Sequence, residues 1–136
     1  MKTSEVVYQG ELRTEAVHLL SKNVIRTDAP PDNNGKGEAF SPTDLLATSL
    51  ACCMLTIMGI IARRDGIRID GTRAVVTKIM ASNPRRVSEL VIEIYFPSNS
   101  AFSEKERQLL ENSARTCPVA QSLHPEIKQD IRFNYF

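Results

Sequence analysis

The sequence predicts an α+β protein with antiparallel sheets and helices gathered apart from them. Three observations carry this. Short period-2 segments fill the first third and the middle, two segments with helical spacing stand between strand runs, and no regular strand–helix–strand alternation calls for a doubly wound parallel sheet. The order read from the chain is β-β-β-α-β-β-α-β, and residues 1–136 are expected to form one domain.

The first third reads as three strands, at residues 5–9, 14–20 and 23–27, with Gly10 and Arg13 near the first turn. Residues 28–38 are almost wholly turn formers. A loop of that length inside a small domain either lines a site or makes a surface excursion. Ser41-Pro42-Thr43-Asp44 then opens a helix. Ser41 is the cap, Pro42 suits the first helical position, and the Asp44 carboxylate completes a variant capping box at the positive helix end.

That helix should run to about Arg64 and stop at Asp65-Gly66. Leu46, Leu50, Cys53, Met54, Ile57, Ile60 and Ile61 make a wide apolar face, with Ser49, Cys52, Thr56 and Arg63 on a more polar side. Two strands follow at 71–80 and 87–96, joined by a turn at 82–85. In the second, Leu90, Ile92, Ile94 and Phe96 alternate with Glu89, Val91, Glu93 and Tyr95. Ser103 and Glu106 form the capping box of a second helix, striped by Leu109, Leu110, Ala114 and Cys117. Pro118 breaks it. A short helical turn over 119–123 and a closing strand from Ile127 to Tyr135 complete the chain.

Composition narrows the function classes. Seventeen basic residues against sixteen acidic give a net charge of +1, so no charge excess recruits nucleic acid or an anionic membrane. The apolar stretch around residues 50–62 is interrupted by Thr56 and Gly59 and reads as too short for a membrane span. The first residues lack the apolar run of a signal peptide, so a soluble cytoplasmic protein is expected. Three cysteines without a secretory signal argue against a structural disulfide framework. They are then structural thiols, metal ligands or redox groups. His18 and His124 are the only histidines, and neither stands at ligand spacing from a cysteine, so no metal is expected. No phosphate-binding glycine motif and no nucleophile elbow is present, and no cofactor is expected.

Cys53 lies mid-helix on the apolar face, where a thiol is inert unless a cation or donor is near. Cys117 precedes Pro118 and can cap the next helical turn, whose amides favour a thiolate, so Cys117 reads as the easier thiol to ionise. Cys52 points about 100° away from Cys53 around the helix and reads as a bystander.

Three runs carry a resemblance: Ser41-Pro-Thr-Asp-Leu-Leu-Ala47, Leu50-Ala-Cys-Cys-Met54 and Cys117-Pro-Val-Ala-Gln-Ser-Leu-His-Pro-Glu126. Together with the loop from Thr27 to Phe40 they resemble the OsmC/organic hydroperoxide resistance family, in its OsmC-like branch. The resemblance spans nearly the whole chain. It implies an intertwined homodimer with two long central helices backed by sheets. It also implies a thiol-dependent reductase of organic or fatty-acid hydroperoxides, an antioxidant activity in the oxidative stress response. Cys53 takes the peroxidatic role, Cys117 the resolving role, and an external dithiol supplies electrons.

In such proteins an N-terminal arginine and a glutamate early in the first helix hold the thiolate. Arg13 is the first choice for that arginine and Arg26 the second. Thr43 stands where the glutamate is expected, ten residues before Cys53, and Asp44 offers a carboxylate one residue later. The missing glutamate leaves an alternative open: a non-enzymatic protein on the same scaffold that binds an apolar ligand or senses redox state.

Overall fold

In the computed structural model, residues 1–135 are described, and the chain divides into two compact units, residues 1–46 and those from 47 onward. The first unit is a three-stranded antiparallel meander. β1 (Ser4–Gly10), β2 (Arg13–His18) and β3 (Val24–Asp28) lie in that order. The β1–β2 turn passes through positive φ at Gly10, Glu11 and Leu12, and only the glycine takes that region without strain. The β2–β3 register sets Arg13 directly opposite Asp28. His18 is engaged in the next turn, its Nδ1 2.6 Å from Ser21 Oγ.

The loop after β3 is folded on itself. A 3-10 turn, Pro31–Asn33, is followed by Asn34 in the left-handed region, and the Gly35 amide donates to Pro30 O at 3.0 Å. Any side chain at Gly35 would collide with Ala29, since a Cβ there would lie 1.7 Å from its carbonyl oxygen. This close approach is why glycine occupies the position.

α1 (Pro42–Asp65) begins as the sequence predicts. Ser41 Oγ accepts from the Asp44 amide at 3.0 Å, and Asp44 Oδ2 accepts from the Ser41 amide at 2.9 Å. It ends on Gly66, at φ +70, where the Ile67 amide reaches back to Ala62 O at 2.8 Å. The buried stripe is Ala47, Leu50, Ala51, Met54, Met58 and Ala62, with Cys53, Ile57 and Ile61 half-buried beside it. The wider face expected from the sequence is therefore rotated: Leu46 and Ile60 are exposed. Ala47, Ala51 and Ala62 let the neighbouring elements approach, which apolarity alone does not signal.

The helix also corrects the reading of the apolar stretch as too short for a membrane span. Thr56 and Gly59 do not interrupt it, and its 24 residues are long and apolar enough to cross a bilayer by length and composition. Here Leu50, Met54 and Met58 are fully buried within protein.

The rest of the second unit is a mixed sheet, order β4-β5-β6, of β4 (Arg73–Ala81), β5 (Arg86–Tyr95) and β6 (Lys128–Asn134). β4 and β5 form the expected hairpin. β6 pairs with β5 in parallel, so the expectation of antiparallel sheets holds for the first unit and fails here. The cause is the connection: α2 (Glu104–Arg115) and α3 (Pro118–Ser122) form a crossover that returns the chain to the same end of the sheet. α2 carries the predicted Ser103/Glu106 capping box. It has 12 residues, so only α1 is long among the described helices.

Leu90, Ile92 and Ile94 of β5 are fully buried and pack in one cluster with Leu50, Met54, Met58, Leu110, Ala114 and Cys117. Each such Leu or Ile contributes about 1.5–3 kcal/mol by leaving water. Phe96 stacks on Tyr135 at 4.8 Å and meets Phe102 edge-on at 5.1 Å, closing one end of that core.

Candidate active site

The two cysteines singled out in the sequence meet in the second unit. Pro118 ends α2 and holds Cys117 extended, at φ −64 and ψ 156, as the N-cap of α3. Cys53 comes from the middle of α1. Cys117 lies in the buried core cluster and Cys53 packs against that cluster, and the Val119 amide points at Cys53 Sγ from 3.5 Å. Cys117 is wholly buried, Cys53 half-buried and Cys52 exposed. All three are free thiols.

The electrostatics reverse one expectation. Cys117 was to be the more readily ionised thiol because of its N-cap position. Its side chain makes no cap hydrogen bond, and burial pushes its pKa up. The adjacent Cys53 adds to the rise, while the nearby amides of Ala120 and Val119 oppose it. Desolvation outweighs the local dipole because no water reaches the sulfur.

Arg13 belongs to the first unit, where it is clamped. Its Nε lies 2.7 Å from Asp28 Oδ1 and its Nη2 2.8 Å from Oδ2, with Glu38 at 3.7 Å. Arg13 holds the Asp28 carboxyl below the usual range. Burial opposes this, and a hydrogen bond from the Glu38 amide at 3.1 Å assists it. Arg26 stands outside this cluster and pairs with Glu15 at 3.2 Å on the exposed face. Asp44 caps α1, and Thr43 Oγ1 lies 3.2 Å from Ser41 Oγ.

Asp28, Glu38 and Val119 were not singled out in the sequence. Asp28 is signalled only through hairpin register, which pairs it with Arg13. Val119 contributes a main-chain group, for which no side-chain motif exists. Among the described residues, no group of three His, Cys, Asp or Glu side chains is placed to hold a metal ion.

A long helix and a mixed sheet, together with a three-stranded meander, define an α+β protein, with one thiol on that helix and a second at a helix start. Residues 35–132 match the model of the OsmC-like protein family. The chain belongs to that family. It is 60% identical to a proposed osmotic-stress-induced and detoxification-response protein of Psychrobacter arcticus, whose crystal structure superposes with a TM-score of 0.94 over 98% of this chain and 96% of that one. An OsmC-like protein of Mycoplasma pneumoniae has the same fold at 22% identity, with a TM-score of 0.81 over 99% and 97% of the two chains. So does an organic hydroperoxide resistance protein of Legionella pneumophila, at 14% identity and a TM-score of 0.75 over 98% of each chain. No curated protein sequence matches the chain.

Proposed function

We propose that this protein reduces organic hydroperoxides through Cys53 and Cys117. The observation that carries the proposal is the Val119 amide, two residues after Cys117, aimed at Cys53 from 3.5 Å, with both cysteines in or against one core cluster. The Cys53 thiolate attacks the O–O bond and takes one oxygen, and the alkoxide leaves and gains a proton as the alcohol. The resulting sulfenic acid condenses with Cys117. An S–S bond forms, the S–OH bond breaks, and the hydroxide leaves as water with the Cys117 proton. An external dithiol then reduces the disulfide by two exchange steps, so no metal, haem or flavin is required.

The substrate follows from the surroundings. Cys53 packs against the apolar cluster of the second unit, which favours an alkyl or fatty-acyl hydroperoxide over hydrogen peroxide. The name of the Legionella relative, an organic hydroperoxide resistance protein, supports the same class. Arg13 is the cation proposed to support the Cys53 thiolate. The second unit alone buries the core cluster, while Val6, Val7, Tyr8, Val24 and Ile25 of the meander are more than 45% exposed. Such a patch supports a homodimer. Free thiols support a reducing, cytoplasmic setting.

One observation favours a second reading. Thr43 stands where the resembling proteins have a glutamate, and Asp44 serves the helix cap. A non-enzymatic role in apolar-ligand binding or redox sensing would tolerate that.

The test is peroxide consumption. Reduced protein, cumene hydroperoxide and a dithiol should give turnover in the wild type that Cys53→Ser abolishes. If both consume peroxide only at the rate of a free thiol, the enzymatic reading falls and the sensing or binding reading stands.

A further inference from the structure

The second unit carries an open cleft of about 590 Å³ that contains neither Cys53 nor Cys117. Every residue lining it comes from the last turns of α1 or from the segment just after, within residues 56–70. Its floor is apolar. Ile69 is buried, Ile67 half-buried and Ile60 mostly exposed. Arg63, Arg68 and Asp70 stand exposed around that floor. A space of this size suits a small-molecule ligand.

Two features point to an occupant. The first is Gly59 in the cleft wall. Glycine inside a helix is less stable than alanine, so its presence asks for a reason. A Cβ at Gly59 would meet nothing within 4 Å beyond its own stretch of helix, so packing among the described residues supplies none. The bare wall leaves room for a molecule that lies close to the backbone. The second feature is a pair of arginines. Arg64, next to Arg63, is held by Asp65 at 2.9 Å. Among the described residues, the side chains of Arg63 and Arg68 pair with no other group.

The main chain on both sides of Arg68 is braced. The Ile67 amide donates to Ala62 O at 2.8 Å, and the Thr72 amide donates to Ile69 O at 2.9 Å. A fixed backbone lowers the ordering cost of binding. Charge then selects the head group. Two guanidiniums against the one carboxylate of Asp70 leave the rim a single positive charge, which matches a monoanion better than a dianionic phosphate. The isoleucines of the floor call for a hydrocarbon chain.

We propose that this cleft binds a single-chain aliphatic carboxylic acid. Its carboxylate lies between Arg63 and Arg68, and its chain covers Ile60, Ile67 and Ile69 along the bare wall at Gly59. The site is distinct from the proposed dithiol chemistry and does not depend on it.

Titration calorimetry of the reduced protein with dodecanoate, kept below its micelle concentration, tests this. One molecule should bind per chain, with a Kd on the order of 10 μM. Arg63→Gln and Arg68→Gln should each weaken binding about tenfold, since each removes a charge-assisted contact. Neutral dodecanol should bind the wild type more weakly than dodecanoate does, by a similar factor. Gly59→Leu fills the cleft and should abolish binding, while Tm holds or rises because leucine replaces glycine inside a helix. Should Gly59→Leu fail to fold, the two arginine variants carry the test. Lys128→Gln, outside the cleft, should bind as the wild type does.

A wild type that binds no dodecanoate overturns the inference. So does equal affinity for dodecanoate and dodecanol, or undiminished binding in folded Gly59→Leu. Binding to phosphatidylglycerol vesicles without binding of free dodecanoate would make the cleft a membrane contact instead. Self-association lost in Gly59→Leu, with no dodecanoate bound by the wild type, would make the occupant a second copy of the chain.

Discussion

The main-chain amide of Val119 donates to the sulfur of Cys53 across 3.5 Å, linking the start of α3 to the middle of α1. This contact exists because Pro118 turns the chain just before it. It gives Cys53 a donor that the sequence pattern does not announce.

Removing the acceptor should expose that amide. Cys53→Ala leaves a half-buried N–H without its partner and should cost about 1–2 kcal/mol in chemical denaturation. Cys53→Ser, whose hydroxyl accepts in the same place, should cost less. Hydrogen exchange at the Val119 amide should be faster in Cys53→Ala than in the wild type. Equal exchange in the two proteins would mean the contact does not hold in solution.

Oxidation should be confined to one pair. One equivalent of cumene hydroperoxide should take the denatured protein from three titratable thiols to one, with the remaining label on Cys52. The oxidised form should unfold later than the reduced one, by up to about 4 kcal/mol for a loop of this length. Label on Cys53 or Cys117 instead, with no disulfide in the peptide map, would contradict the proposed cycle.

Stability should fall on the alkaline side. The Cys117 pKa is raised by burial, so the folded state holds its proton more tightly than the unfolded state. That contribution is complete below the ordinary thiol value. It is lost as pH rises through the raised value, from about pH 8.5 upward. Tyr135, half-buried and donating to Glu111 at 2.6 Å, is raised as well and acts in the same direction. The difference in Tm between reduced wild type and Cys117→Ala should therefore shrink from pH 8 to pH 10.5. A constant difference would show that Cys117 does not titrate as its burial requires.

Two isoleucines should behave oppositely. Ile92→Ala removes a fully buried side chain and should cost about 2–5 kcal/mol. Ile60, 58% exposed on α1, should cost less than about 0.5 kcal/mol as Ile60→Ala in a monomer. If the protein is a homodimer through α1, Ile60→Ala should instead make stability depend more steeply on protein concentration. Sedimentation of both variants separates the two effects.

Much of the architecture was legible in the sequence because it depends on neighbours along the chain. The Ser41/Asp44 and Ser103/Glu106 caps, the stop at Gly66, the break at Pro118 and the alternation of Leu90, Ile92 and Ile94 are all local rules, and all appear in the structure. The pairing of Cys53 and Cys117 rests on family resemblance; the structure packs Cys53 against the core cluster that contains Cys117.

Tertiary structure decided the rest. Strand direction at β6 depends on where the crossover lands, so local alternation could not give the parallel pairing with β5. Which side of an almost wholly apolar helix is buried depends on what packs against it, hence the exposed Ile60. Ionisation depends on total desolvation, so the N-cap position of Cys117 was outweighed by its burial. The Arg13–Asp28 clamp needs two strands in register, and the Val119 donor needs two distant segments in contact. The sequence by itself determined the elements, their ends and the thiols they carry. Only the fold decided which groups surround those thiols, because burial and long-range contact are properties of the packed chain and not of any one stretch of it.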